Sequence, residues 1–322
     1  MRFKWLSWLL VVMLILGGCG ASAEGDYSEE TTSDATVGAS VDSEQTHYPL
    51  TVTDDSGVEI TLTEEPQAII SILPSSTEIA FALGLDEQII AVTDNDDYPE
   101  QVNDKDTVGG MELNIEKIVS LEPDLVLAGM LNGEAVQKLR DLGVTVLVAE
   151  GEDLASTYDS IALIGEVTNR VAEAEAIVHS MQAKVSEIQQ QVEQLPQEER
   201  VNVWLEVDPT MFTAGSGTMM DELIQLAGGN NIAAAELEGW GQLSEEKVVA
   251  LDPDIIIGTY GEEALQQTVA DREAWSNLRA VEQERVYAID ESAISRPGPR
   301  LSDALQQLAV LFYPEMFAQD ES

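Results

Sequence analysis

The sequence predicts an α/β protein of two similar lobes with parallel-type sheets, joined by one long helix. Short apolar strands alternate with helical segments on both sides of residue 168, a pattern typical of parallel sheets covered by helices. One segment also occurs twice, as NIEKIVSLEPDLVLA (114–128) and SEEKVVALDPDIIIG (244–258). Two α/β lobes with a cleft between them follow from this repeat, and ligands of such sheets bind where strands end at their carboxyl side.

The predicted interlobe helix covers residues 167–196. Its apolar residues recur at every third or fourth position, as they do on one face of a helix. Thr168 or Asn169 can cap its start, and Pro196 ends it. About 25 helical residues span roughly 38 Å, the width of a small domain. The alternative is a coiled coil between subunits, but about three heptads without a charge pattern are short for that role.

The N-terminus predicts export and a lipid anchor. Arg2 and Lys4 precede a short apolar run that closes on LGGC, and Cys19 is the only cysteine of the chain. The segment is too short to span a membrane as a helix. LGGC resembles the bacterial lipobox, which implies removal of residues 1–18 and attachment of lipid to Cys19. We therefore expect a protein anchored by lipid to the outer face of the cell membrane.

The rest of the chain divides into a tether and two lobes. Residues 19–47 are rich in Ser, Thr, Asp and Glu and predict a disordered tether. The N-terminal lobe covers residues 48–166 and starts with a hairpin that turns at Ser56-Gly57. Its other predicted elements are strands at 69–73, 89–92, 125–128 and 144–148 and helices at 75–84, 114–121, 133–142 and 154–164, the first with a Ser75/Glu78 capping box.

The C-terminal lobe covers residues 197–322 and repeats this order. Its predicted strands lie at 201–207, 254–258 and 286–289, and its predicted helices at 219–227, 245–251 and 300–311. Thr218 and Asp221 give the first of these helices a capping box, which explains the GSGT segment without an anion site.

The charge is strongly acidic. Fifteen Lys+Arg against 60 Asp+Glu give a formal net charge of −45 and a pI near 4.1. This field repels nucleic acids and anionic membrane surfaces, and it suits a saline or alkaline habitat where counterions screen it. It also slows the approach of anionic ligands.

Several motifs together resemble one family, the substrate-binding proteins of ABC importers for ferric siderophores, haem and cobalamin. They occur in the family's order over residues 48–317, and the likeness is closest to the vitamin B12-binding members. The motifs are PSSTEIAFALGL, DYP, NIEKIVSLEPDLVLAG, FTAGSGTMMDELIQLAGGNNIA, GWGQLSEEKVVALDPDIII and SRPGPR. The resemblance implies a class III periplasmic-binding-protein fold, no catalytic residues, no metal site, no cofactor and a monomer.

The resemblance also implies partners. Glutamates matching Glu116 and Glu246, one per lobe, dock onto arginines of the membrane permease, which works with its ATPase. Each residue otherwise needs no function, because an acidic side chain in a first helical turn complements the helix dipole. Because one long helix resists large hinge motion, we expect the permease to release ligand by prying at the two glutamates.

The predicted ligand site takes residues from both lobes. Phe212, Trp240 and Arg296 match ligand-contacting positions of the family, although an aromatic residue can close a local core and an arginine can form a structural ion pair. Arg300 fits an anchor for the last helix better, and Trp204 a core residue. The full predicted set is Ser75, Ser76, Asn95, Tyr98, Met111, Trp204, Phe212, Trp240, Arg296 and Arg300.

The sequence leaves several alternatives for the transported ligand. Positions matching Asn95 and Met111 are often aromatic in cobalamin binders, so the predicted ligand site is less aromatic here. Neutral or cationic ligands suit the charge, which favours a corrinoid, then a ferric hydroxamate, with haem or another chelate third. Two other classes of protein compete with a substrate-binding protein: an enzyme such as a chelatase, and an adhesive lipoprotein. The two histidines, His47 and His179, and the absence of a second cysteine argue against haem ligation and nucleophilic catalysis.

Overall fold

The apolar strands form two parallel sheets, as predicted. The computed structural model describes residues 45–317, so the signal peptide, Cys19 and the tether up to residue 44 lie outside the described residues. The first sheet has the order β5-β4-β3-β6-β7 and the second β10-β8-β12-β13, with every neighbour parallel. Two antiparallel ribbons, β1-β2 and β9-β11, complete the strands. The strands are β1 Leu50–Thr53, β2 Glu59–Leu62, β3 Ile69–Ser71, β4 Ile89–Val92, β5 Asp106–Thr107, β6 Leu125–Ala128, β7 Val146–Val148, β8 Asn202–Glu206, β9 Phe212–Ala214, β10 Asn230–Asn231, β11 Trp240–Gln242, β12 Ile255–Gly258 and β13 Val286–Ala288.

The helices lie between the strands in the alternating order that the sequence predicts. They are α1 Pro74–Ala82, α2 Ile115–Ser120, α3 Gly133–Asp141, α4 Leu154–Val167, α5 Val171–Val192, α6 Met219–Leu226, α7 Glu245–Leu251, α8 Glu262–Asp271, α9 Arg279–Glu282, α10 Glu291–Ser295, α11 Leu301–Phe312 and α12 Pro314–Phe317. The short strands β5, β9, β10 and β11 and the helices α8, α9, α10 and α12 are not in the sequence prediction. Among the described residues, no helix has the length and apolar character needed to cross a membrane.

The first predicted helix differs at its start. α1 begins at Pro74, and Leu73 occupies the N-cap position without a side-chain cap, so the predicted Ser75 capping box is wrong. Proline fixes the backbone dihedral of a first helical position and needs no capped amide there, which explains the earlier start. The Glu78 carboxylate is thereby left available for other partners.

The start of the long helix also differs from the prediction. Thr168 ends α4, and its hydroxyl donates to the Ile164 carbonyl at 2.6 Å. Asn169 has a positive φ of 58°, so the chain turns there, and α5 begins at Val171. The capping roles predicted for Thr168 and Asn169 are therefore wrong, because these residues close the preceding helix instead.

Both sheets are covered on both faces, because every second strand residue faces the opposite side. In the first sheet Ile70 and Val126 pack with α2 and α3, while their neighbours face α1 and α4. In the second sheet Trp204 and Ile256 pack with α7 and α8, while the alternate residues face α6 and α11. The inner faces of the two sheets belong to one continuous apolar core.

The helix α5 joins that core. It packs against α4, α6 and α11, and it buries the stripe that the sequence shows. The buried residues of the stripe are Ala174, Met181, Val185, Ile188 and Val192. A coiled coil between subunits would need this apolar face to be exposed. Because the face is covered within the chain, the structure does not support that alternative.

The first described residues are attached to the end of α4. The Thr46 amide donates to Asn169 Oδ1 at 3.0 Å, and the Thr46 hydroxyl donates to the Glu166 carbonyl at 2.7 Å. The Tyr48 hydroxyl donates to the Val167 carbonyl at 2.9 Å. Ordered contacts thus begin two residues before the predicted start of the lobe.

We expect Ile188→Ala to lower the free energy of unfolding by about 2–5 kcal/mol, because Ile188 is 1% exposed within the shared core. Glu187→Ala, on the exposed side of the same helix, should change it by less than about 0.5 kcal/mol. Urea denaturation followed by far-UV circular dichroism and by tryptophan fluorescence measures both. Equal effects of the two substitutions would contradict the core assignment.

Candidate functional site

The cleft is built from loops at the carboxyl ends of parallel strands, as the fold predicts. The loop after β4 (93–99) and α1 come from the first sheet, and the segment from Ile289 to Arg300 follows β13 of the second. The two sides meet through charged side chains, and this contact is the main structural feature of the site.

Glu78 of α1 accepts hydrogen bonds from both arginines of the SRPGPR motif. Arg300 binds it with two nitrogens, Nε to Oε2 at 2.8 Å and Nη2 to Oε1 at 2.6 Å. Arg296 Nη1 donates to Glu78 Oε1 at 3.1 Å and to Asp97 Oδ1 at 2.5 Å. The Glu78 side chain is 2% exposed. We call these three residues, Glu78, Arg296 and Arg300, the arginine clamp.

Further contacts hold the two arginines of the clamp. The Arg300 guanidinium lies 4.1 Å from the centre of the Tyr98 ring, and its Nη2 donates to the Ser292 hydroxyl at 3.0 Å. Burial alone would lower the pKa of both arginines, but hydrogen bonds and charge from Glu78, with Asp97 or Asp290, raise it instead. Both arginines are therefore permanently charged and engaged with carboxylates.

A cavity of about 620 Å³ opens beside the clamp. Its lining is mostly polar, with hydroxyls and carboxylates as the prevailing groups. It is lined by Asp97, Thr259, Gly261, Ala288, Ile289, Asp290, Glu291, Ser292, Ser295 and Arg296. Of these, sequence reasoning selected only Arg296. Position could have indicated Thr259 and Ile289, because Thr259 directly follows the strand predicted at 254–258 and Ile289 ends the strand predicted at 286–289.

Burial raises the pKa of Asp96, in the loop after β4, although hydrogen bonds from Thr77 and Thr93 and the charge of Arg296 oppose it. At Asp290 the balance is reversed. Burial is the largest single effect there, but hydrogen bonds from Ser292 and the charge of Arg300 outweigh it and lower the pKa. The cavity wall next to the clamp therefore keeps the Asp290 carboxylate ionised.

Phe212 and Trp240 form a second feature of the site. They lie on the ribbon β9-β11, with ring centroids 6.0 Å apart and an interplanar angle of 10°. Trp240 is 50% exposed, so one face of its ring is open to a ligand. Neither residue lines the 620 Å³ cavity, so the structure pairs them with each other and leaves them apart from the clamp.

A buried ion pair supports the loop before Phe212. Arg272 donates two hydrogen bonds to Glu206, at 2.6 and 2.9 Å, and a third to the Pro209 carbonyl at 3.0 Å. Trp204 Nε1 donates to Glu206 Oε2 at 3.0 Å. Trp204 is fully buried in this network, which makes it a core residue of β8 and removes it from the open cleft.

The remaining predicted ligand residues separate into buried and exposed groups. Ser75 and Ser76 are buried, and the Ser76 hydroxyl donates to the Ala149 carbonyl at 3.2 Å. Asn95 is exposed, and its backbone carbonyl accepts from Arg296 at 3.3 Å. Met111 is 97% exposed and lines a different depression, next to α2 and α3. Of the ten predicted ligand residues, Asn95, Tyr98, Arg296 and Arg300 thus come together at the arginine clamp, and Phe212 and Trp240 form a separate pair.

The two candidate docking glutamates are exposed in the first turns of equivalent helices. Asn114 caps α2 and Ser244 caps α7, each accepting from the amide three residues later. Hydrogen bonds from its own amide and from the Ser244 hydroxyl lower the pKa of Glu246. No salt bridge engages Glu116 or Glu246 within the described part of the chain.

The two histidines lie away from the cleft. His47 and His179 line a cavity of about 1050 Å³ along α4 and α5. Between residues 45 and 317, no three His, Cys, Asp or Glu side chains are grouped closely enough to hold a metal ion.

Comparison with known proteins identifies the group to which this arrangement is related. The family model described as periplasmic binding protein matches residues 69–293. An ABC transporter substrate-binding lipoprotein of Bacillus subtilis, itself called uncharacterised, is 36% identical over 97% of both chains. A cobalamin-binding protein of Halobacterium salinarum is 29% identical, over 83% of this chain and 74% of its own.

Solved structures of periplasmic solute-binding proteins are also similar to this chain. A periplasmic solute-binding protein of Staphylococcus epidermidis, described as a possible iron-binding protein, aligns with a TM-score of 0.69 and 30% identity. It covers 78% of this chain and 100% of its own. The vitamin B12-binding protein of Vibrio cholerae aligns with a TM-score of 0.66 and 26% identity, over 77% of this chain and 97% of its own.

We expect Glu78→Gln to lower the free energy of unfolding by about 3–5 kcal/mol, because it leaves two largely buried arginines without their shared carboxylate. The control is Glu134→Gln, which breaks the exposed Glu134–Lys138 pair and should cost no more than about 0.5 kcal/mol. Urea denaturation measures both variants. Similar small losses would show that the arginine clamp does not join the two sides of the cleft.

Proposed function

This chain belongs to the periplasmic binding protein family, as the substrate-binding protein of an ABC transporter, and we propose that it captures a corrinoid such as cobalamin. The proteins of this family bind solutes outside the cytoplasm for transport and are not enzymes. The ligand would be held between the cavity beside the arginine clamp and the open face of Trp240.

The observation that carries this proposal is the state of the arginines in the cleft. Arg296 and Arg300 are both engaged by carboxylates, while Asp290 and Glu291 add negative charge to the cavity wall. An anionic iron complex would find no free cation there and would be repelled. A corrinoid carries neutral amide side chains that can donate to these carboxylates and hydroxyls.

Further support comes from the aromatic pair and from the relatives. Phe212 and Trp240 offer an apolar surface with one open ring face, which suits the edge or face of a large macrocycle. The relative from Halobacterium salinarum is a cobalamin-binding protein, and the Vibrio cholerae structure is a vitamin B12-binding protein.

A ferric hydroxamate is the second candidate. The relative from Staphylococcus epidermidis is described as possibly binding iron, and a neutral or cationic iron chelate fits the acidic cavity. Haem is less well supported, because the cleft offers no histidine, and Tyr98 stacks on Arg300.

We also propose that lipid on Cys19 anchors the protein to the outer face of the membrane. The LGGC segment supports this, as does the relative from Bacillus subtilis, which is a lipoprotein. Two acyl chains or more provide stable anchoring.

Calorimetric titration of the chain from Gly20, in high salt, tests the ligand. We expect one-to-one binding of cyanocobalamin and weaker or no binding of a ferric hydroxamate. Trp240→Ala should weaken cobalamin binding about 30-fold, since a stacked tryptophan in a binding site typically contributes 2 kcal/mol or more.

Leu142→Ala removes an exposed apolar side chain outside the cleft and should leave the affinity unchanged. Binding of the hydroxamate alone would replace the corrinoid by the second candidate. Unchanged affinity of Trp240→Ala would exclude the aromatic pair from the site.

We propose that Glu116 and Glu246 dock the protein onto basic residues of the permease. Replacing both by alanine should abolish uptake into proteoliposomes while cobalamin affinity stays the same, because neither side chain lies in the cavity of the cleft. The control replaces Glu187 and Glu282, which are also exposed, and should transport normally. Transport by the Glu116/Glu246 variant would refute the docking assignment.

A further inference from the structure

A depression with a mainly polar lining lies between the loop before α2 and the start of α3, and the exposed apolar side chains of Met111 and Leu131 belong to it. It has a volume of about 500 Å³ and is lined by side chains from both segments. The lining residues are Met111, Glu112, Leu113, Ile115, Leu131, Asn132, Glu134, Ala135 and Lys138.

The apolar side chains here are unusually exposed. Met111 is 97% exposed and Leu131 is 91% exposed, and the neighbouring Met130 is 53% exposed. The described residues contain eight exposed large apolar or aromatic side chains, and three of them, Met111, Met130 and Leu131, follow β5 or β6. Because exposed apolar groups that lie together usually mark an interaction surface, a partner is expected to cover them.

This depression is separate from the ligand cavity. The cavity beside the arginine clamp takes its lining from the loop after β4 and from segments after β12 and β13, and the two linings share no residue. Met111 was a predicted ligand residue, but its surroundings in the structure are Leu113, Ile115 and Leu131. An occupant other than the transported ligand is therefore indicated.

Carboxylates lie beside the exposed apolar side chains. Glu112 belongs to the lining, and Glu116 follows Ile115 directly in the first turn of α2. Within the described residues, neither is in a salt bridge, whereas Glu134 is paired with Lys138. The surface thus fits a protein that presents an apolar side chain next to basic residues. It does not fit an anionic membrane.

The second lobe has no equivalent of Met111. Met111 precedes the N-cap Asn114 by three residues, and the residue three positions before the matching N-cap, Ser244, is Gly241. Both lobes therefore offer a glutamate, but only the first adds an exposed apolar side chain at this position.

We propose that the depression around Met111 and Leu131 is an apolar docking point for the permease, beside Glu116. The proposal rests on the proposed function and deepens it, since it assigns most of the docking affinity of the first lobe to apolar contact. The exposed glutamate supplies orientation and association rate. An apolar side chain of the permease, flanked by Arg or Lys, would fill the depression.

The test uses the full lipoprotein and the permease–ATPase complex that takes up cyanocobalamin with it in proteoliposomes. The variant is Met111→Ser/Leu131→Ser, and the matched control is Leu142→Ser/Met316→Ser, which also removes two exposed apolar side chains. We expect the test variant to bind the nanodisc-embedded permease at least 10-fold more weakly, mainly through faster dissociation. Its cyanocobalamin affinity should stay within twofold of the parent, and the control should match the parent in both assays.

Other outcomes would overturn the proposal. Normal permease binding by the test variant, with weak binding by Glu116→Ala/Glu246→Ala, would leave the proposed docking intact and exclude the apolar contact. A drop in cyanocobalamin affinity would assign Met111 and Leu131 to the ligand wall. A dimer in light scattering that the two substitutions dissociate would assign the surface to a second copy. If no permease transports with the parent protein, the proposed function itself fails.

Discussion

The arginine clamp is the interaction on which the arrangement of the cleft depends. Glu78 belongs to the first sheet's side of the molecule, and Arg296 and Arg300 reach it from more than 200 residues later in the chain. A carboxylate that is 2% exposed needs such partners, because burying an unpaired charge costs several kcal/mol. The SRPGPR motif is thereby held against α1, and the loop carrying Tyr98 is held with it.

This use of arginine also determines what the cleft can accept. In a chain with 15 basic residues and a net charge of −45, cations are scarce, and those of the cleft are already neutralised. What is left for a ligand is a wall of hydroxyls and carboxylates and one open tryptophan face. On the proposed function, the fold's own ion pairs would disfavour anionic ligands, because they leave neither arginine of the clamp unpaired.

Local patterns predicted most of the fold. The strands at 89–92 and 125–128, the helices that carry Glu116 and Glu246 and the buried stripe of α5 depend on neighbours in sequence, and the structure has them. Two errors concern local helix ends, and a third feature was missed because it depends on distant residues. Ser75 loses its capping role to Pro74, and Asn169 turns the chain before α5. The partner of Arg296 could not be predicted, since no local pattern points to Glu78, while Met111 was selected from a resemblance and lies elsewhere.

The continuous core that passes through α5 has a consequence for how this protein can change. Residues from both sheets and from α4, α5, α6 and α11 pack into one apolar interior, so neither lobe has a complete core of its own. A lobe exchanged for that of a relative would meet a foreign helix face and lose packing along its whole inner side. The loops that follow β4 and β12 lie outside that interior and can vary without disturbing it, whereas the segment after β13 contributes Ile289 and Ile294 to it. In evolutionary terms, we expect the two lobes to be inherited as a single unit, with change concentrated in the loops outside the shared interior.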